Sequence, residues 1–220
     1  MTNKLIDWKY AWDILPELLR GSVYTVGITL VAFSMALVGG LILALLRRSR
    51  ISWLSWTTAV LIEFIRSTPL LIQIFFLFYV LPEYGITLSA LAAGTFAIAL
   101  HYSCYTAEAY RAGLNAVPLG QWEAAKALSL SPRNAYFSVI FPQMIRPIVP
   151  ALGNNMIAMF KDTPVLSAIT VVELMLQAKS IGSQSFRYLE PITLAGLFFL
   201  IISLACAAGV RKFETKLRLP

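Results

Sequence analysis

The chain has 220 residues, 58% hydrophobic and 13% charged, with a net charge of +7 and a mean hydropathy of +0.72. A soluble domain carries about a quarter charged residues, so this composition excludes an ordinary soluble domain and a disordered chain. The two cysteines, Cys104 and Cys206, lie in apolar stretches and there is a single histidine, which excludes a disulfide scaffold and a histidine-based metal site.

The N-terminal stretch holds Asp7, Asp13 and Glu17 and has no short apolar core with a small-residue cleavage site, so it does not read as a signal peptide. Trp8, Tyr10 and Trp12 suit a segment at the membrane interface. A transmembrane helix needs about 20 apolar residues. Residues 21–46 and 191–210 are free of charge, and 53–81, 86–110 and 147–172 carry only a few. The runs are too long, and do not alternate, for strands. The expectation is an all-α polytopic membrane protein, a single domain over residues 1–220 with five spans and no internal repeat. Between the third and fourth spans, residues 112–145 are the least apolar internal stretch. Helix formers cluster there from Gly120 to Leu128, and Pro132 bars that helix from running on.

Lys and Arg set the orientation. Arg47, Arg48, Arg50, Arg111, Lys126, Arg133, Arg146, Arg211, Lys212, Lys216 and Arg218 fall on one side, eleven against the five of Lys4, Lys9, Arg20, Lys179 and Arg187. The richer side is cytoplasmic by the positive-inside rule, which puts the N-terminus outside and the C-terminus inside. In so apolar a chain the basic surplus marks a membrane face and gives no sign of nucleic acid.

An ionisable residue within a span is costly and marks a functional candidate. Arg66 in the second span and Lys161 and Asp162 in the fourth lie at similar depth, each about 20 Å from the cytoplasmic start of its span. Together they offer both signs of charge to a zwitterion. The alternative is internal pairing, Glu63 with Arg66 and Lys161 with Asp162. Thr68-Pro69 predicts a broken helix, because Pro69 has no N–H for the carbonyl of Ile65. Ser67 precedes it, and Thr163-Pro164 repeats the arrangement in the fourth span. Such breaks expose backbone groups to a protein-lined cavity. Asn154 and Asn155 divide between lining the pathway and holding helices together. His101 reads as a helix-contact residue, Glu108 and Arg111 as a local ion pair or inner gate, and Phe75, Phe76, Phe78 and Tyr79 as packing or lipid-facing groups.

One pattern is more specific. Glu123-Ala124-Ala125, three residues, Ser129, nine residues and Val139-Ile140-Phe141-Pro142 resembles the E-A-A-x3-G-x9-I-x-L-P signature of ABC importer permeases. Ser129 stands where that family has Gly, and Val139 and Phe141 stand for Ile and Leu. Glu108-Ala109-Tyr110-Arg111-Ala112-Gly113, Val117-Pro118-Leu119-Gly120-Gln121, Arg66-Ser67-Thr68-Pro69-Leu70-Leu71-Ile72-Gln73 and Lys161-Asp162-Thr163-Pro164 resemble the polar amino acid branch, of the histidine, glutamine, arginine and opine type. His101-Tyr102-Ser103 lends a leaning toward ectoine or hydroxyectoine permeases. The resemblance implies a type I permease fold in a bacterial inner membrane, moving substrate by alternating access. It implies a second permease subunit, identical or homologous, two cytoplasmic ATPases and an extracytoplasmic binding protein. The helix holding Gly120, Glu123, Ala124 and Ala125, closed at Ser129, would couple to the ATPase. Glu123 would pair with a basic residue there or stabilise its own helix N-terminus. No Walker-type loop is present, so ATP and Mg belong to the partner, and this chain is neither an enzyme nor the holder of a cofactor or metal. An ion-driven secondary carrier or channel subunit is the competing class, and a membrane enzyme finds no nucleophile–base pair.

Overall fold

The computed structural model describes residues 6–217. Lys4 and Arg218 of the orientation count lie outside the described residues. Helix α1 (Trp8–Asp13) starts where the Asp7 carboxylate accepts the N–H groups of Lys9 and Tyr10 at 3.1 and 3.2 Å. It passes through Ile14 into α2 (Leu15–Arg47), whose early Pro16 sits in the first turn, where no N–H is needed. At 33 residues α2 is about 50 Å long, so it outruns the hydrocarbon core and begins six residues before the expected span.

The second span is not straight. Helix α3 (Ser52–Ser67) stops at Thr68, which takes the extended backbone imposed on a residue before proline, with φ −103° and ψ 140°. Helix α4 (Leu70–Phe75) then continues through a π turn, Phe76–Val80, and a 3-10 turn, Leu81–Tyr84. The chain bends by 104° between the two limbs. Gly85, at φ +81°, closes the second limb in a conformation that glycine adopts without strain.

Helix α5 (Ala90–Asn115) is capped by the Ser89 hydroxyl and buried over much of its length. Ala93, Ala97, Ile98, Tyr102, Cys104, Thr106 and Ala107 are all covered. Gly39 and Gly40 let α2 close on it. A Cβ at Gly39 would fall 2.5 Å from the Ser103 hydroxyl, and one at Gly40 2.6 Å from Thr106. Small residues are how helices approach in a membrane, where apolar surface has no water to escape.

After α6 (Leu119–Ala127), Pro132 starts a helix where the sequence suggested only a stop. Ser131 caps α7 (Pro132–Asn134), a π turn spans Ala135–Ile140, and α8 (Phe141–Asp162) follows. The helix thus begins well before Pro147, where the fourth span was expected to start. Pro147 and Pro150 lie inside α8, which runs with the 3-10 segment Thr163–Ile169 as one rod from Pro132 to Ile169. Two further helices complete the chain, α9 (Leu174–Ser185), unforeseen in the sequence, and α10 (Leu189–Leu217). Leu15–Arg47, Pro132–Ile169 and Leu189–Lys216 are each long and apolar enough to cross a membrane, and the bent pair makes a fourth if taken as one span. Helix α5, at 26 residues, is about 39 Å long.

A latch joins the chain's beginning to α10. The Asp7 N–H donates to Glu190 at 3.1 Å, Arg187 bridges Asp7 and Glu190, and its guanidinium lies 4.5 Å from the Tyr10 ring. The Tyr10 hydroxyl donates to Ser185 at 2.7 Å. The Tyr10 N–H, followed by Arg187, holds the Asp7 carboxyl below its usual range, while Glu190 raises the Arg187 guanidinium.

Candidate functional site

The bend at Thr68-Pro69 does not leave its carbonyls free. The Ile65 carbonyl, robbed of a helical partner by Pro69, accepts the Gln73 side-chain amide at 2.7 Å and the Thr68 hydroxyl at 3.2 Å. Thr163 does the same one span over. Its hydroxyl donates at 2.7 Å to the carbonyl of Phe160, the group that Pro164 cannot serve. Thr before Pro thus fills the gap that Pro makes, and the expectation of exposed carbonyls is corrected at both positions. Thr163 is fully buried, so it caps the helix without facing a cavity. The second Thr-Pro makes no sharp bend, because Pro164 falls at the start of the 3-10 turn, where its missing N–H matters least.

The charged candidates separate into two kinds. Asp162 accepts the Tyr102 hydroxyl at 2.6 Å, which replaces the suggested pairing with Lys161. Lys161 is exposed and forms no salt bridge among the described residues. Arg66 stands 4.0 Å from Glu63 and 5.1 Å from the centre of the Tyr105 ring. The Glu63 side chain is 74% exposed and that of Arg66 35%. Ser67 is exposed and reaches Glu63 at 3.4 Å. Tyr105 packs beside Tyr102 at 5.8 Å and His101 at 5.2 Å, so a row of rings on α5 joins Arg66 on α3 to Asp162 on α8. Asn155 is half-buried and shares a helix stripe with Asp162, seven residues on, whereas Asn154 shares the exposed stripe of Lys161. Sequence reasoning missed Tyr102, Tyr105 and Gln73 as members of this cluster. Their spacing from His101 and Pro69 carried the only signal.

Toward the other end of α5, Glu108 and Arg111 form the expected ion pair at 2.7 Å. Helix α6 presents Leu119, Gly120, Glu123, Ala124 and Leu128 outward, while Ala125 is buried. Of the residues expected to couple to the ATPase, Ala125 thus packs inward where α6 meets the bundle. Glu123 sits five residues into the helix, past the first turn, so it does not serve its own N-terminus. Trp122 holds α6 from behind, against Tyr136 at 6.5 Å and under the Arg48 guanidinium at 5.7 Å. Ser129 ends the helix at φ +54°, and the N–H groups of Ser129 and Leu130 return to the carbonyls of Lys126 and Ala125 at 2.9 and 3.1 Å. This is the turn that glycine would make without strain.

Long apolar helices, a sharply bent helix pair with exposed charges at the bend and a short exposed helix between α5 and α8 are the arrangement of a polytopic membrane subunit. The chain belongs to the family of binding-protein-dependent transport system inner membrane components, whose model matches residues 36–219. It is 47% identical over 94% of its length to a Sinorhizobium fredii protein named as a probable amino-acid ABC transporter permease, covering 90% of that protein. It is 35% identical to the L-cystine transport system permease of Bacillus subtilis, over 85% of this chain and 82% of that one. A crystal structure of an amino acid ABC transporter with histidines superposes with a TM-score of 0.91 at 34% identity, over 97% of this chain and 100% of that one. The protein is thus a multi-pass inner-membrane permease component whose ATPase and binding protein are separate chains, and the enzyme and ion-driven carrier classes fall away.

Proposed function

We propose that the chain imports a polar amino acid or a related zwitterionic solute, with Arg66 and Asp162 at the pathway and Ser67, Thr68, Pro69, Asn155 and Lys161 beside them. The observation that carries this is the outward face of the bent span. Glu63 and Arg66 are partly or largely exposed at a depth where a charge facing lipid is expensive. A second permease subunit, with a water-filled path between the two, removes that cost. The names of the relatives above support an amino acid as cargo and give ectoine no specific support.

Helix α6 then docks on the ATPase through Gly120, Glu123 and Ala124, and two ATPases serve two permeases. Five spans, N-terminus out and C-terminus in, agree with the basic residues in the turn before α3 and along the end of α10. The test is uptake by the reconstituted permease, ATPase and binding protein against a panel of amino acids and other zwitterions. ATP-dependent uptake of an amino acid is the expected result. Uptake driven by an ion gradient without the ATPase overturns the proposal.

A further inference from the structure

We infer that Gln73 is a positioning residue, a pin that fixes the bend of the second span and ties it to α5. Its side-chain nitrogen lies 2.7 Å from the Ile65 carbonyl, 3.1 Å from the Thr68 carbonyl and 2.9 Å from the Thr68 hydroxyl. Two amide hydrogens are shared among three oxygens, all on the limb before the break, while Gln73 itself belongs to the limb after it. The other end of the amide must then be the oxygen, and it faces His101 Nδ1 at 3.2 Å. An oxygen there accepts, so His101 carries its hydrogen on Nδ1. One side chain thereby holds three things at once: the last turn of α3, the start of α4 and the middle of α5. No other described side chain bonds to the Ile65 or Thr68 carbonyl across the break.

The geometry explains why the pin takes a primary amide. A hydroxyl has one hydrogen and a short reach, and a carboxylate has no hydrogen to give the carbonyls. A primary amide donates two hydrogens from one end and accepts at the other. An apolar side chain would leave the Ile65 and Thr68 carbonyls under-served beside an apolar cavity of about 340 Å³ lined by Leu61, Phe64, Ile72, Phe76 and Leu77. Because Arg66 and Thr68 sit on the last turn before the break, the pin sets where they stand. That consequence for solute rests on the pathway proposed above, whereas the pin itself does not.

The test uses the reconstituted transporter and two readouts. Gln73→Met keeps the length and removes every bond. Hydrogen exchange in the segment 64–73 is expected to speed up by about tenfold or more, with α6 and α10 unchanged, since each net hydrogen bond is worth about that factor. The KM for uptake is expected to rise by a similar factor with the maximal rate retained, a split that general loss of structure does not produce. His101→Phe leaves the three donor bonds and removes the tie to α5. It is expected to loosen the segment less, and to add little on top of Gln73→Met. Unchanged exchange in Gln73→Met overturns the pin, whatever uptake does. Faster exchange with an unchanged KM supports the pin and overturns the pathway. If Gln73→Met does not assemble, the single His101→Phe variant decides, and wild-type exchange in it overturns the tie to α5.

Discussion

The Tyr102 hydroxyl donates to Asp162 at 2.6 Å and so joins α5 to the final residue of α8. That bond holds one carboxylate oxygen of Asp162, and the second oxygen has no bond among the described residues. Under the pathway proposed above, that open oxygen is the one that would meet a cationic group of the solute.

Asp162→Asn is expected to impair uptake while the complex still assembles. Losing a charge-assisted contact costs about 1.5–3 kcal/mol, which appears as a raised KM. Tyr102→Phe leaves the charge in place and is expected to raise KM less. Wild-type affinity in both variants removes Asp162 from the pathway.

Glu123→Lys is expected to uncouple ATP hydrolysis from transport. Glu123 is exposed on α6, has no bond among the described residues and lies past the helix's first turn, so its charge is available to another chain. A like charge beside a basic partner costs several kcal/mol at an interface. The check is hydrolysis stimulated by loaded binding protein. Normal stimulation in the Lys variant makes Glu123 a solvated helix residue.

Ser129→Gly is expected to stabilise the protein. A non-glycine residue in the left-handed region costs about 1–2 kcal/mol, and glycine returns part of that as greater freedom of the unfolded chain. A net gain of about 0.5–1 kcal/mol should show as a higher thermal midpoint in detergent. Ser129→Val, branched at Cβ, should move it the other way.

The latch at the N-terminus predicts an acid limb. The Asp7 carboxyl is held below its usual range by the Tyr10 N–H and then by Arg187, so its folded value lies under its unfolded one. A depressed carboxyl stabilises above the unfolded pKa, and that contribution is lost as pH falls through the folded value, below about pH 4. Thermal midpoints measured on either side of that window should diverge in the native chain and converge in Asp7→Asn.

Much of the helical plan was legible. Charge-free residues 21–46 and 191–210 lie within α2 and α10, and helix formers around Glu123 mark α6, because apolar length and propensity are local properties. The break at Pro69 was legible for the same reason, since a missing N–H needs no tertiary context. Its repair was not. Gln73 reaches Ile65 eight residues back and His101 twenty-eight ahead, distances that only the folded chain brings together. Ala125 looked like its neighbour Ala124 until the burial of α6 against the bundle separated them. Helix α9 escaped because it is short and mixed in polarity, held by contacts to α2 and α10 and little by its own pattern.

The outer edge of the molecule constrains how it can move. Gly21 meets α9 so closely that a Cβ there would lie 2.9 Å from the Leu174 Cα, and Thr25 accepts the Leu174 N–H at 3.0 Å. The buried Glu173 carboxylate clamps the start of α9, and Tyr10 and Ser185 clamp its end. The first helix, the N-terminal half of α2, α9 and the head of α10 are thereby cross-linked by close packing and hydrogen bonds. Among the described residues, the limbs that meet at Pro69 have no such tie to α9; their cross-links run instead through Gln73 to α5. Substitutions within this cross-linked group should shorten the survival of the transporter before they change what it carries.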